Sequence, residues 1–271
     1  MKISALNIYP VKSCAAISLS STEVEPEGLI GDRRMMLIDE AGKFITQRSH
    51  AKLAQINPSF NGNQLSLNVG GRSHLMSYSE KRQLARVWRS EVDLLVADDR
   101  LNGALSKFLG ESVRLVKMDG KSKRMVNPDW GSGPVSLADG YPILVTTTAS
   151  LKALSREAGR ALQMEQFRPN VVIDTEVPWV EDGWRSIQMG SVTMKFVKPC
   201  TRCVVTTLNP DNGEADRPET MQALIQSRRS NDDRVSGVLF GWNAVVETTG
   251  SLSVNMPVEI LKQEKPWPIK P

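Results

Sequence analysis

The residues best suited to chemistry form one short run, Lys198-Pro199-Cys200-Thr201-Arg202-Cys203, followed by Val204-Val205-Thr206-Thr207. A thiolate is a soft ligand for transition metals, and a neighbouring cation, here Arg202 or Lys198, favours the thiolate form. Four readings stay open on these residues alone. A thioredoxin-like redox pair wants its CxxC at a helix N-terminus in a βαβ setting, whereas β-branched residues follow this one. A structural zinc site needs four ligands, and only Cys14, His50 and His74 remain as Cys or His partners. The two cysteines could be inert core residues, or one thiolate could bind a metal cofactor.

Other candidates are short and ambiguous. In Tyr9-Pro10-Val11-Lys12-Ser13-Cys14 a lysine and a hydroxyl on a turn can hold an oxyanion; the same residues are also common surface chemistry, and Cys14 reads as a small core residue. In Gly31-Asp32-Arg33-Arg34 the aspartate can orient a guanidinium toward a phosphate, or the pair is a surface ion pair. Gln47-Arg48 and Phe167-Arg168-Pro169-Asn170 carry the same ambiguity. Leu137-Ala138-Asp139-Gly140-Tyr141-Pro142 is either a plain turn or a loop that presents Asp139 to a ligand. With only His50 and His74 in the chain, a Ser-His-Asp hydrolase, a HExxH protease and a His-rich iron site are poor fits. There is no Walker A loop and no GxGxxG opening a helix, which argues against ATP hydrolysis and Rossmann-type NAD binding.

The elements that would position these residues are mostly short strands. Residues 2–8 read as a strand stopped by Tyr9-Pro10. Residues 34–39 and 43–46 flank a turn at 40–42, 65–69 and 72–76 flank Gly70-Gly71, and 92–96 is a further strand. Asp98 is a good N-cap for a helix with Leu101, Ala104, Leu105, Phe108 and Leu109 on one face and Gly110 as its stop. Residues 112–117 return to strand. The stretch 118–135, with Lys121, Lys123, Arg124, Pro128 and Pro134, reads as an exposed linker. Beyond it, 142–146 and 170–174 read as strands around a helix capped by Thr147 or Thr148 and carrying Leu151, Leu154, Ala158 and Leu162. A hairpin spans 186–197 around Gly190-Ser191, 203–208 is a strand, and a short helix starts near Pro218 with Met221, Leu224 and Ile225 inward. The tail 237–262 adds two or three strands. Many short strands with occasional helices predict an α+β fold, predominantly β, around a barrel-like core.

Composition narrows the class. The 271 residues are 40% hydrophobic and 24% charged, which excludes a disordered or collagen-like chain. The net charge of +4 comes without a run of five like charges, so a nucleic-acid partner is not expected, while an anionic small ligand fits. Three cysteines are not a disulfide framework. The N-terminus reads straight into a strand without a signal-peptide pattern, and no stretch is apolar enough to span a bilayer. A soluble cytoplasmic protein is expected, with no membrane partner and no need for more than a monomer.

Taken in order, the stretches YPVKSC (9–14), GLIGDRRMML (28–37), FITQR (44–48), VRLV (113–116), PVSLADGYPILV (134–145), MEQFRPNVVI (164–173), KPCTRCVVTTLNPDNG (198–213) and FGWN (240–243) resemble the MOSC-domain family. The branch is that of the mitochondrial amidoxime-reducing component and the bacterial YcbX-type proteins. The resemblance implies an N-terminal MOSC-associated β-rich domain over 1–120 and a MOSC domain over 121–271. It also implies a molybdenum cofactor, a Mo-molybdopterin with a terminal phosphate. Carried over residue by residue, Cys203 ligates the metal, Lys12, Ser13, Arg33, Arg168 and Asn170 contact the cofactor, and Asp139 lies near the metal as a proton relay. The phosphate suits Lys12, Arg33 and Arg168, and a thiolate suits molybdenum, which would carry the redox chemistry.

The activity implied is a two-electron removal of oxygen from N-hydroxylated compounds, such as amidoximes, hydroxylamines and N-hydroxylated nucleobases, in the manner of a detoxifying reductase. Relatives in that branch can carry a plant-type ferredoxin domain, but no Cx4CxxC run occurs here. A separate flavin or iron–sulfur electron donor is therefore expected, docked in part by the basic excess. The family's Gly-Asp in the final hairpin reads Asn255-Met256, a departure that bears on a turn. Two alternatives remain: a sulfur-transfer protein with a persulfide on Cys203, and a non-catalytic carrier of the cofactor. The first needs the cysteine without the phosphate clamp; the second keeps the clamp and tolerates loss of Cys203.

Overall fold

Apolar strands too short to stand alone gain stability by pairing in a sheet with one face buried. The computed structural model, which describes residues 1–62 and 64–270, places eight of them in one sheet. Their spatial order is Glu259–Gln263, Trp184–Met189, Val192–Thr201, Leu239–Thr248, Ile143–Thr147, Val171–Asp174, Lys2–Ile8 and Ile17–Leu19. Strands from both ends of the chain thus share one sheet. Its apolar residues, among them Ile3, Val145, Val171, Trp184, Phe196 and Trp242, form the largest core cluster. The mostly β architecture agrees with the fold class expected from the sequence.

Three helices accompany the described strands: α1 (Asp99–Leu109), α2 (Thr148–Glu157) and α3 (Pro218–Ser227). A single parallel pair, Ile143–Thr147 with Val171–Asp174, is closed by a crossover through α2, because a tight turn cannot join parallel strands. The remaining neighbours in this sheet are antiparallel. One edge of the sheet therefore collects the exit of Lys2–Ile8 and the entries of Ile143–Thr147 and Val171–Asp174.

A second sheet joins Met35–Ile38, Arg114–Lys117, Ser90–Ala97 and Tyr78–Val87. Strand Met35–Ile38 is buried on both faces: Met35 and Leu37 enter one core cluster, Met36 and Ile38 another. Successive side chains of a strand point to opposite faces, so four residues serve two cores. Helix α1 closes the first of these with Leu101 and Leu105. The Asp98 side chain accepts from Leu101 N at 2.7 Å, and Gly110, at φ 84°, ends the helix as its C-cap.

Several expectations are corrected. Residues 43–46 contribute only isolated bridges, Ile38 with Phe44 and Lys43 with Arg86. Residues 203–208 are not a strand: Val204–Thr207 is a 3-10 turn. Thr206 and Thr207 hydroxyls donate back to the Cys203 and Val204 carbonyls, at 3.0 and 2.7 Å, and this local bonding competes with a sheet ladder. The 118–135 stretch is not simply exposed, since Arg124, Val126 and Val135 are buried. Ile225 is 45% exposed, the inward face of α3 being Thr220, Ala223 and Leu224. Helix α2 ends at Glu157, before Leu162. At Asn255 the turn survives the departure from glycine, at φ 69°, because asparagine tolerates the left-handed region.

Candidate functional site

The sheet register builds the floor of the site. Asn7 N donates to Asn170 O at 2.9 Å, Asn170 N donates to Leu144 O at 2.9 Å, Leu144 pairs with Asn243, and Asn243 pairs with Lys198. This row crosses five strands or strand ends and lies beneath a cavity of about 400 Å3. All seven residues singled out from the sequence line that cavity: Lys12, Ser13, Arg33, Asp139, Arg168, Asn170 and Cys203. They come from five separated stretches of chain.

Charge around the cavity is one-sided. Six cationic side chains line it (Lys12, Arg33, Arg48, Arg168, Lys198, Arg202) against one carboxylate, Asp139. Arg33 is anchored on three sides. It donates to Asp32 Oδ2 at 2.8 Å, to Asn170 Oδ1 at 3.0 Å and to Arg168 O at 3.0 Å. Asp32 is only 1% exposed and also accepts from Tyr9 N at 2.8 Å. Arg168 has no carboxylate partner among the described residues; one Nη2–H bond reaches Cys14 O at 2.8 Å. Burial pulls its pKa down. The two guanidinium carbons lie 4.3 and 4.2 Å from the Tyr9 ring centroid, a cation–π arrangement that holds like charges near each other. Burial pushes the Tyr9 phenol up to about 12, so it stays neutral.

Lys12 and Asp139 form an ion pair, and Lys12 Nζ also donates to Leu137 O at 3.0 Å. Burial pulls Lys12 down and Asp139 pulls it back up, the first effect prevailing. The Asp139 side chain opens to the cavity but its carboxylate is crowded. That crowding opposes ionisation, yet Lys12 more than offsets it, helped by Trp88 and Arg48, and holds the carboxyl well below the usual carboxylate range. Arg124, buried, fixes the loop that carries Asp139: its guanidinium donates to the carbonyls of Ser136 at 2.8 Å, Ala138, and Asp139 at 3.1 Å.

Cys203 is half-buried at the start of the 204–207 turn, and Arg48 Nη2 lies 3.3 Å from its Sγ. Gln166 ties that turn down by donating to Thr206 O at 2.7 Å and to the Thr220 hydroxyl at 3.1 Å. Cys200 also lines the cavity, and burial pushes its thiol up. Cys14 is fully buried, with a thiol pushed up to about 12 by burial, so it is a packing residue. Arg202 spends its guanidinium on the Phe240 and Phe167 carbonyls, at 3.0 and 2.9 Å. Among the described residues no three of His, Cys, Asp and Glu converge as a metal-ion cage.

Backbone strain concentrates here. Among the described residues six non-glycine ones have positive φ, and four of them line the cavity: Ser13 at 67°, Arg33 at 46°, Trp88 at 56° and Arg168 at 55°. Such conformations persist where surrounding structure enforces them and cluster at functional sites. Asn170, 1% exposed, is committed to the frame: its Oδ1 accepts from Leu144 N at 3.1 Å and from Arg33, and its Nδ2 donates to Asn7 O at 3.2 Å. Sequence reasoning left Arg48 undecided and missed Trp88, Arg124 and Gln166; Trp88 and Arg124 sit in no motif that announces a role, and in MEQFRPNVVI the legible chemistry is that of Arg168 and Asn170.

The chain matches known families and proteins. The MOSC N-terminal beta barrel domain matches residues 1–112, and the MOSC domain matches residues 132–259. Mitochondrial amidoxime reducing component 2 of Rattus norvegicus is 32% identical over 278 residues, covering 94% of this chain and 82% of that protein. Mitochondrial amidoxime-reducing component 1 of Mus musculus is 31% identical over 280 residues, covering 96% and 82%. Among solved structures, the YuaD protein of Bacillus subtilis covers 95% of this chain and 93% of its own at 11% identity and a TM-score of 0.46. The chain belongs to the MOSC-domain family, in the branch of the amidoxime-reducing components.

Proposed function

We propose that this protein is a molybdenum-cofactor-dependent reductase that removes oxygen from N-hydroxylated compounds such as amidoximes, hydroxylamines and N-hydroxylated nucleobases. The observation that carries the reading is the ring of six cationic side chains, with one carboxylate, around the half-buried Cys203. An anionic group suits this ring, and a metal that brings its own remaining ligands suits a lone accessible cysteine. Arg168 supports the fit: half-buried in the cavity wall, its guanidinium makes one hydrogen bond among the described residues, to Cys14 O, and its other N–H groups are open to an anion in the cavity.

When bound, the cofactor supplies the two-electron redox chemistry. The chain's own residues do the rest. Arg33 and Arg168, both packed on the Tyr9 ring, would grip the phosphate, with Lys12 and Ser13 beside them. Cys203 would supply the thiolate, with Arg48 placed to balance its charge. Asn170 holds Arg33 and the strand entries in place. Asp139, kept ionised by Lys12, fixes that lysine at the cavity wall, and it can take up a proton only once the pair opens.

The proposed electron donor is a flavin or iron–sulfur group outside these 271 residues, which hold no Cx4CxxC run. One chain supplies every site residue, so a monomer suffices. No helix among the described residues is long and apolar enough to cross a membrane. The three free cysteines suit a reducing compartment, and a cytoplasmic setting is part of the proposal. So is a working division into 1–120 and 121–271, supported by where the two family models match.

The test is metal and pterin analysis of protein purified from a host able to make molybdenum cofactor. Near-stoichiometric molybdenum and pterin are expected, with molybdenum lost in Cys203→Ala and both lost in Arg168→Ala. Folded protein from that host with neither group would overturn the reading and leave sulfur transfer, with a persulfide on Cys203, in its place.

A further inference from the structure

Trp88 is the least expected residue at the cavity. It sits between strands Tyr78–Val87 and Ser90–Ala97, where Ser90 pairs with Val87, and it adopts φ 56°. A bulky aromatic in that region is a genuine outlier, and glycine would occupy the same turn without strain. Three contacts hold it there. Its ring meets Phe44 edge-on, with centroids 5.1 Å apart. Its indole N–H donates to Asp139 Oδ1 at 3.2 Å. The Arg48 guanidinium lies 5.3 Å from its ring centroid. Despite these contacts 43% of the residue stays exposed, and it lines the cavity.

Arg48 reaches the indole ring on one side and the Cys203 sulfur on the other, at 3.3 Å. The ring and the sulfur are thus separated by a single guanidinium. A large aromatic surface is held open, at a cost in backbone strain, one guanidinium away from the reactive end of the cavity. Aromatic faces bind planar conjugated groups by stacking and offer much less to small aliphatic ones.

We propose that Trp88 determines substrate class. Resting on the reductase reading above, its ring is the platform on which a planar aryl or heteroaryl N-hydroxylated headgroup stacks with its N–O end turned toward Cys203. Aliphatic N-hydroxylated compounds lack that contact and bind more weakly. The hydrogen bond to Asp139 serves to hold the ring, and is not itself the source of discrimination.

The experiment uses the molybdenum-loaded protein without an electron donor, so that binding is read without turnover. Dissociation constants for benzamidoxime and acetamidoxime are measured by calorimetric titration on wild type, Trp88→Gly and Trp88→Phe, each checked for molybdenum content. Glycine relieves the strained backbone, so folding is preserved while the ring is removed; phenylalanine keeps a ring and loses the N–H. Expected is a loss of about tenfold in benzamidoxime affinity for Trp88→Gly, at least fivefold more than the loss for acetamidoxime. Trp88→Phe should keep most of the benzamidoxime affinity. Equal losses for both ligands, no loss, or Trp88→Phe behaving like Trp88→Gly would overturn the assignment to Trp88 alone. A wild type that carries no molybdenum or binds neither compound would overturn the reductase reading, and this inference with it.

Discussion

At the scale of single residues, the site depends on charges that are paired unevenly. Asp139 has Lys12, Trp88 and Arg48 around it, whereas Lys12 has one carboxylate and a carbonyl. Lys12 is buried, and burial favours its neutral form; Asp139 opposes this and favours the charged form. In Asp139→Asn the opposing charge is gone, so the Lys12 pKa falls further and the lysine loses its proton at a lower pH. If charged Lys12 helps to hold the anionic group, the alkaline limb of the pH–rate profile for amidoxime reduction moves to lower pH in this variant. An alkaline limb at the wild-type position would remove Lys12 from the machinery. The residue types at this site were readable in the sequence, since Lys12, Arg33, Arg168 and Cys203 lie in short motifs of recognisable chemistry. Trp88 and Arg124 were not: nothing in Val87-Trp88-Arg89 marks a strained turn, and Arg124 read as part of an exposed linker, whereas it is buried with three carbonyl partners.

At the scale of elements, legibility followed the strength of local signals. Helix α1 was readable end to end because Asp98, the apolar face and Gly110 all act within a few residues. Strand Tyr78–Val87 was invisible: YSEKRQLARV shows no clean alternation, and it is held by pairing with Ser90–Ala97 and by Arg82, which bridges Asp93 and Asp119. The turn after Cys203 was misread for the opposite reason. Its β-branched residues favour a strand, but two threonine hydroxyls and the distant Gln166 side chain hold it as a 3-10 turn. That clamp gives a prediction about the element. Gln166→Leu leaves the Thr206 carbonyl and the Gln163 N–H without their partner, at a cost of about 1–3 kcal/mol. A lower urea midpoint with an unchanged slope, together with less molybdenum per chain, is expected because the turn no longer fixes Cys203. A destabilised variant that binds molybdenum as wild type does would show that the clamp supports the fold and not the site.

At the scale of the whole molecule, the sheet explains why distant motifs meet. Strand Lys2–Ile8 runs antiparallel to Val171–Asp174, and the latter runs parallel to Ile143–Thr147. The residues that follow the first strand and precede the other two must then share one edge. No local pattern encodes that pairing; the resemblance to a family implied only that these motifs meet at one cofactor. Buried carboxylates lie beside the crossover, next to Thr147 at the start of α2 and Trp242 in the sheet. Asp182 is satisfied by Arg228 Nη2 at 2.7 Å and by Trp242 Nε1 at 3.0 Å. Glu181, 1% exposed, receives the Thr147 hydroxyl at 3.0 Å on Oε2, while Oε1 has no partner among the described residues. Burial, with Asp182 adding to it, pushes the Glu181 carboxyl up from 4.5 to about 7. The folded state therefore holds a proton that the unfolded state has already lost. This stabilising contribution is complete below pH 4.5, declines as pH rises toward 7, and is absent above it. Glu181→Gln mimics the protonated form, so its stability should match wild type near pH 5 and exceed it near pH 8, by at most about 3 kcal/mol. Thermal melts of the two proteins should diverge as pH rises from 5 toward 7 and keep a constant separation beyond it. Parallel curves would mean that Glu181 ionises in the fold as it does in water, and that its unpartnered oxygen is hydrated.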